Sequence, residues 1–263
     1  MFSNRSSSTQ SAGEELTKQF ASKAKANGLN AKIEFSFGVV CHIRIEASEQ
    51  IWLIPDSDKV SFRLTLSQCH LQQRHLERVE NLFSRQVLRE LRLVESTVEV
   101  RSDYRFSPKG ALETLSLEHC GDSLLDVFLP IIGSSDHVTI VTPKDYILML
   151  DVLQHTKTIT LKGLQIADGQ SRTFGKSPHL EAMCIDGVTI GSSIISQVLE
   201  LPKLERVVIL DSTIREFEKV RFPSERKSPL DVQINGDLVQ RFRDLLPPNV
   251  RVNGSSKLSG NAL

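Results

Sequence analysis

Arginine and hydroxyl side chains recur in several short alternating segments, where apolar residues separate them. The polar residues of these segments that we select as candidate binding residues are His42, Arg44, Arg63, Glu90, Arg92, Thr114, Ser116, His137, Thr139, Thr158 and Thr160. A guanidinium group donates paired hydrogen bonds to a carboxylate or a phosphate. If these side chains share one surface, the chemistry they favour is the binding of an acidic or phosphorylated segment of another protein.

A structural explanation for the same residues stays open. Threonine is favoured in strands, and exposed charges of opposite sign often pair between neighbouring strands. Glu46 and Glu90 are placed to neutralise part of the arginine charge.

The sequence contains no complete catalytic motif. The segment Gly175-Lys176-Ser177 ends like a phosphate-binding loop, but Gln170 stands where the motif needs glycine and Pro178 blocks the helix that should follow. His70 and His75 are five residues apart, which is not the metal-binding i, i+4 spacing, and we expect both to be solvated. We therefore predict no metal, no cofactor and no catalytic site.

Cys184 and His137 form the remaining candidate for nucleophilic chemistry. A thiol and an imidazole must be in contact to act together. The spacing of the repeated strands places Cys184 and His137 two strands apart, which is about 10 Å. The sequence therefore predicts a protein that is not an enzyme.

The elements that position these residues follow one template. In residues 111–120, Leu112, Leu115, Leu117 and Cys120 occupy the first, fourth, sixth and ninth positions of a nine-residue pattern. Sliding this pattern along the chain gives further first positions, and the complete set is Val40, Ser61, Leu88, Leu112, Ser135, Thr156, Leu180, Leu204 and Pro229. Successive members of the set are 21 to 27 residues apart. Eight such intervals within about 20–29 residues indicate a repeat architecture.

This pattern resembles the leucine-rich repeat superfamily over roughly residues 38–252, and Cys69 and Cys120 resemble the cysteine-containing type found in F-box receptors. Several first positions depart from leucine, namely Ser61, Ser135, Thr156 and Pro229, and no F-box helical segment precedes the repeats. The resemblance implies an α/β fold: a leucine-rich repeat solenoid with a curved parallel sheet of about nine strands, and with helices and irregular returns on the convex side. It also implies a binding scaffold rather than an enzyme.

The template assigns each strand residue to a face. Its fourth and sixth side chains point into the core, so the third, fifth and seventh point out from the concave face of the sheet. The candidate binding residues lie at third and fifth positions, while Cys69 and Cys120 lie at the ninth position as buried thiols.

The segments outside the strands predict the remaining elements. Residues 1–12 are expected to be a disordered tail, residues 13–253 the repeat domain, and residues 254–263 a flexible tail. A cap helix is predicted over 14–27, a hairpin joins residues 33–37 to the first repeat strand, and Val250 and Val252 indicate a closing strand. Further helices are predicted over 70–86, from Asp122 or Ser123 to 132, from Thr142-Pro143 to 154, over 191–201 and over 238–246.

Composition limits the classes of partner. The 32 basic and 32 acidic residues cancel, so no global field attracts nucleic acid or an anionic membrane. Four cysteines without C-x-x-C spacing, and the lack of a long apolar run, favour a reducing compartment, cytoplasmic or nuclear.

The sequence thus predicts a non-catalytic, intracellular scaffold that binds a protein partner on its concave sheet, as a monomer or within a hetero-complex. Two alternatives stay open. One is an adaptor that recruits targets to a larger complex through its N-terminal helix region. The other is a secreted bacterial effector, which rests on the Ser-rich N-terminus.

Overall fold

The computed structural model describes residues 4–28, 31–36, 40–46, 54, 60–101, 104–107, 110–142, 146–148, 153–166, 177–223, 226, 228–236, 238–244 and 250–254. The chain divides into two compact units, Met1–Ser135 and Asp136–Leu263. Both units are α/β, and both contain a main sheet whose strands are almost all parallel.

Unit 1 contains three helices and seven strands in its described part. In chain order they are α1 (Asn4–Ala26), β1 (Ala31–Ser36), β2 (Val40–Glu46), β3 (Ser61–Ser67), β4 (His70–Gln72), α2 (Gln73–Ser84), β5 (Leu88–Val94), β6 (Thr97–Glu99), β7 (Thr114–Glu118) and α3 (Asp122–Ile132). The main sheet has the order β1-β2-β3-β5-β7, in which only the β1–β2 pair is antiparallel. The short strands β4 and β6 form a separate parallel pair.

Unit 2 repeats this plan with shorter strands. Its described elements are β8 (His137–Val141), β9 (Ile147–Leu148), β10 (Thr158–Lys162), β11 (Gln165–Ile166), β12 (Ala182–Asp186), β13 (Thr189–Gly191), α4 (Ser192–Glu200), β14 (Arg206–Leu210), β15 (Thr213–Arg215), a 3-10 helix (Phe217–Lys219), β16 (Leu230–Ile234), α5 (Leu238–Arg243) and β17 (Val250–Gly254). The main sheet is parallel throughout, in the order β8-β10-β12-β14-β16-β17, and a second parallel sheet has the order β15-β13-β11-β9.

The fourth template positions lie side by side as equivalent rungs within each unit. In unit 1 the aligned residues are Ile43, Leu64, Leu91 and Leu115. In unit 2 they are Val138, Ile159, Met183, Val207 and Val232. All nine are 2% exposed or less. Because a slip of one residue would turn every core side chain to the other face, this burial fixes the register. The predicted strands are confirmed.

A left-handed residue at the eighth template position turns the chain out of seven main strands, whereas Thr142 after β8 does not have this conformation. Here Gln68, Glu95 and His119 in unit 1, and Gly163, Gly187, Asp211 and Gly236 in unit 2, have φ between 46° and 73°. Four of these residues are not glycine, although a left-handed backbone strains any residue with a Cβ. The turn lets the amide of the eighth residue bond to the next strand, as in Gln68 N–H to Val94 O at 2.8 Å and Glu95 N–H to Glu118 O at 2.8 Å.

Small polar side chains at the ninth position satisfy the carbonyl groups at the strand exit in unit 1. Ser96 Oγ donates to Val94 O at 2.9 Å and accepts the Cys69 N–H at 3.2 Å. The Cys120 thiol donates to Leu93 O at 3.4 Å. Cys69 and Cys120 are 1% and 4% exposed, which confirms that both are buried. Carbonyl groups in this buried position would destabilise the fold if they had no donor.

The second sheets were not predicted from the sequence. Segments of two or three residues are too short to show an alternating pattern. The helix expected after Thr142 is wrong at residues 147–148, which form strand β9 in register with Gln165 and Ile166 of β11. Tyr146, Leu153 and Gln154 also belong to the predicted helix and are not helical, while residues 143–145 and 149–152 lie outside the described residues. The return between β10 and β12 begins with strand β11 rather than with the helix or irregular segment expected for a return, and residues 167–176 also lie outside the described residues.

Helix boundaries differ from the prediction in several places. α1 begins at Asn4, within the tail expected over 1–12, and α2 begins at Gln73 because residues 70–72 form β4. The N-cap of α3 is Gly121, one residue before the predicted pair Asp122 and Ser123, and no side chain caps it. α4 matches the predicted segment, the part of α5 that is described covers 238–243, and the closing strand is confirmed at Val250–Gly254.

Replacing Leu115 by alanine should lower the free energy of unfolding by about 2–5 kcal/mol, because a fully buried rung residue is lost and leaves a cavity. Replacing its half-buried neighbour Thr114 by alanine should change it by less than about 1 kcal/mol. Urea-induced unfolding followed by circular dichroism measures both. Equal losses would contradict the assignment of the two faces.

Gly187→Ala should cost about 1–2 kcal/mol, because its φ of 63° strains a Cβ even though no atom would lie closer than 3.9 Å. Gly163→Ala should cost more, because its Cβ would collide with the carbonyl oxygen of Thr142 in addition to the strain at φ 73°. Thermal unfolding of the two variants and the parent chain gives the order. If Gly187→Ala were at least as destabilised as Gly163→Ala, this would contradict the close approach of Gly163 to the carbonyl oxygen of Thr142.

Candidate binding surface

The outward face of the unit 1 sheet brings seven of the predicted site residues together. Strand register aligns three rows across β2, β3, β5 and β7. The third-position row is His42, Arg63, Glu90 and Thr114. The fifth-position row is Arg44, Thr65, Arg92 and Ser116. The seventh-position row is Glu46, Ser67, Val94 and Glu118. Within these rows only Ser116 is buried, at 7% exposed.

Arg63 connects the three neighbouring strands of the third-position row. Its Nε lies 2.9 Å from Glu90 Oε1, without the alignment of a good hydrogen bond. Its terminal nitrogen Nη1 lies 3.4 Å from His42 Nε2 on the other side. Arg63 is therefore held by an ion pair whose geometry is imperfect, and a better-aligned acceptor would compete for the guanidinium.

Arg92 and Glu118 form the second ion pair, between the fifth and seventh rows. Arg92 Nη2 donates to Glu118 Oε2 at 2.8 Å, and Ser116 Oγ donates to Glu118 Oε1 at 2.7 Å. Burial of Glu118 raises its pKa, but the bonds from Arg92 and Ser116 together lower it by more. The pKa of Glu118 therefore lies below its usual range, and this carboxylate stays charged at neutral pH.

The charge of this surface is balanced. The three arginines at outward positions of β2, β3 and β5 face three glutamates, Glu46, Glu90 and Glu118. Glu46 and Glu90 were predicted from the sequence as neutralising residues, and the structure adds Glu118. Arg44 is exposed and makes no ion pair with any described residue. The outward face thus carries alternating charges, and within the described residues Arg44 is the outward arginine that makes no ion pair.

The other four predicted residues lie in unit 2. His137 and Thr139 on β8 are in register with Thr158 and Thr160 on β10, and His137 Nδ1 lies 2.8 Å from Thr158 Oγ1. The same outward face continues to Cys184 and Val208, which are only 9% and 2% exposed. An apolar centre on this face was not predicted. Valine is a typical core residue, but the alternation of side chains along β14 places Val208 on the outward face, where it is nevertheless buried.

Cys184 and His137 are not in contact, as the spacing predicted. Strand β10 lies between their strands, and His137 bonds to Thr158 instead. Burial raises the pKa of the Cys184 thiol, which keeps it protonated at neutral pH. This geometry does not activate a nucleophile.

The residues considered for a metal site or a phosphate-binding loop do not come together in the described part of the chain. Among the side chains that the structure describes, no three or more of the His, Cys, Asp and Glu type are placed to hold a metal ion. His75 is fully buried rather than solvated, and its Nδ1 accepts the Gln72 N–H at 2.9 Å, which caps α2. Ser177 is 1% exposed, while Gly175 and Lys176 lie outside the described residues.

No helix of the described chain combines the length and the apolar character that crossing a bilayer requires.

Comparison with known proteins returned no matching family model, no similar curated protein and no similar solved structure.

The depressed pKa of Glu118 should make folding sensitive to acid. The ionised Glu118 carboxylate stabilises the folded chain at pH values above the pKa that this carboxyl has in the unfolded chain, near 4.5. This stabilisation is lost as the pH falls through the lower pKa that Glu118 has in the folded chain. The free energy of unfolding should therefore fall more steeply between about pH 5 and pH 3 in the parent chain than in Glu118→Gln.

Arg92→Gln removes the main donor and serves as the matched variant. It should reduce the acid sensitivity in the same direction as Glu118→Gln. Urea titrations at a series of pH values measure all three proteins, and parallel curves would contradict the role given to the pair.

Proposed function

We propose that this chain is a leucine-rich repeat solenoid of the non-catalytic scaffold class, and that it binds a protein partner on the outward face of the unit 1 sheet. The observation that carries this proposal is the register of β2, β3, β5 and β7. After one shift between Phe62 and Arg63 in the β3–β5 pair, it runs without interruption from the third template position onward, and it collects polar side chains from four strands in rows. Repeat proteins use such a surface for binding because its side chains are free of the core.

The repeat assignment is supported by three features that recur together. Buried rung residues, a left-handed residue at the eighth position and a small or apolar residue at the ninth return at the spacing found in the sequence. In a repeat architecture each unit buries its apolar side chains against its neighbours. Here the main strands contact the strands next to them in the sheet order.

Binding fits the surface better than catalysis does. The titratable groups of the unit 1 face are engaged with one another, as Arg63 is with Glu90 and Arg92 is with Glu118. Ser116 does donate to the Glu118 carboxylate, but the low pKa of Glu118 makes that carboxylate a weak base. The alternating donors and acceptors of the face suit a polar protein surface.

The arginines define the chemistry of the partner. An acidic or phosphorylated segment would bond first to Arg44, which is exposed and has no ion pair among the described residues. It would then compete with Glu90 for Arg63, whose present pairing is poorly aligned. A phosphate group accepts bidentate bonds from arginine and is a stronger competitor than a second carboxylate.

The experiment is affinity capture from the native cell with a triple charge reversal, Arg44→Glu, Arg63→Glu and Arg92→Glu. Partners that dock on this surface should be lost, because each reversal introduces repulsion where a charged bond formed. Quantitative mass spectrometry should show at least about a tenfold loss for such partners, the equivalent of about 1.4 kcal/mol.

The matched control reverses three exposed arginines of the same unit, Arg74, Arg101 and Arg105, which lie away from the outward positions of the main strands. This variant has the same net charge as the test variant and should keep the partners. Capture that is unchanged in the test variant, or lost equally in the control, would reject the assigned surface.

A further inference from the structure

Unit 2 contains a polar cleft beside α4 that the repeat pattern does not account for. Its volume is about 710 Å³, within the range of small-molecule sites. Its lining contains three cationic side chains, two carboxylates, Glu200 and Glu216, and several uncharged polar residues, and those used below are Ser192, Gln197, Arg215, Lys219 and Arg221. None of them belongs to the outward face of the main sheet.

The N-terminus of α4 opens into this cleft. Its N-cap is Gly191, which has no side chain to bond the amides of the first turn. These amides and the helix dipole favour an anion, as at other helix N-termini.

Ser192, the first residue of α4, gives independent evidence for a ligand. It lines the cleft and is only 7% exposed, yet its hydroxyl has no hydrogen bond to any described residue. A polar residue with so little exposed area normally has a partner for its side chain. A ligand oxygen in the cleft would supply one.

Arg215 is fixed next to this helix start. It is the register partner of Gly191 across β13 and β15. Its Nη2 donates to Gln165 Oε1 at 2.8 Å, which orients the guanidinium. The backbone of Arg215 therefore lies beside the start of α4, and Gln165 holds its guanidinium.

Arg221 is anchored to the same helix one turn later. Its backbone N–H donates to Ser196 Oγ at 2.8 Å, and that hydroxyl donates in turn to Ser192 O at 2.8 Å. The guanidinium of Arg221 makes no ion pair with the described side chains, whereas Lys219 is already paired with Glu216 at 2.6 Å. Two arginines thus flank an anion site whose remaining donors come from α4.

We propose that this cleft binds the phosphate monoester of a small hydroxylated molecule. The phosphate accepts bonds from the first amides of α4, from Ser192 Oγ and from Arg215 and Arg221. The rest of the ligand lies toward Gln197, whose buried Oε1 lacks a donor and suits a ligand hydroxyl. The described lining residues include no aromatic side chain to stack on a base, which favours a polyol phosphate over a nucleotide.

The test is isothermal titration calorimetry of the full chain with glycerol 3-phosphate, inorganic phosphate and glycerol. Glycerol 3-phosphate should bind most tightly, inorganic phosphate more weakly, and glycerol not measurably. Arg215→Gln and Arg221→Gln should each weaken the binding of glycerol 3-phosphate about tenfold or more, as expected for loss of a charged bond to phosphate.

Arg243→Gln is the matched control, because Arg243 is exposed on α5 and does not line the cleft. It should bind glycerol 3-phosphate like the parent chain, and circular dichroism shows whether each variant is folded. The two arginine variants are independent, so one of them suffices if the other does not fold.

Failure of glycerol 3-phosphate to bind would overturn the proposal. So would binding that neither Arg215→Gln nor Arg221→Gln weakens, or that Arg243→Gln weakens equally. Inorganic phosphate binding as tightly as glycerol 3-phosphate would overturn the assignment of a hydroxylated ligand.

Discussion

The parallel register of the main strands is the constraint on which the rest of the structure depends. Leu64, Leu91 and Leu115 are neighbours on adjacent strands, and each is almost completely buried. Since side chains alternate between the faces of a strand, fixing these residues inside also fixes Arg63, Glu90 and Thr114 outside. The outward face proposed for binding is therefore determined by the same contacts that stabilise the core, and neither can change its register alone.

The turn after each main strand is the second constraint. A parallel strand needs a long return before the next one, and the chain must leave the sheet at the same point in each repeat. The left-handed residue at the eighth position makes that exit, and the ninth residue follows it into the interior. Asp211 shows how a residue other than glycine is held there, since its N–H and its carboxylate both bond to the Asn235 side chain at 2.9 Å.

The sequence was sufficient to predict strands that recur in a long-period pattern, but not segments of two or three residues that have no pattern of their own. The main strands could be predicted because Leu115 and Leu117 belong to a pattern that returns eight more times. Strand β9 could not, because a run such as Ile147-Leu148 is equally compatible with a helix and no pattern of its own decides between them. Side-chain pairing was also beyond the sequence. The repeat showed that Arg92 and Glu118 face outward, but only coordinates show that they bond across the gap between neighbouring strands.

The pairing of opposite charges on the unit 1 face has a consequence for how fast a partner can arrive. Arg63 beside Glu90, and Arg92 beside Glu118, cancel each other's field within a few ångströms, well inside a Debye length of about 8–10 Å. Without long-range attraction, diffusional encounter proceeds at a basal rate of about 10⁵–10⁶ M⁻¹ s⁻¹. Selectivity on such a surface then resides in the lifetime of the complex, which short-range contacts determine after collision.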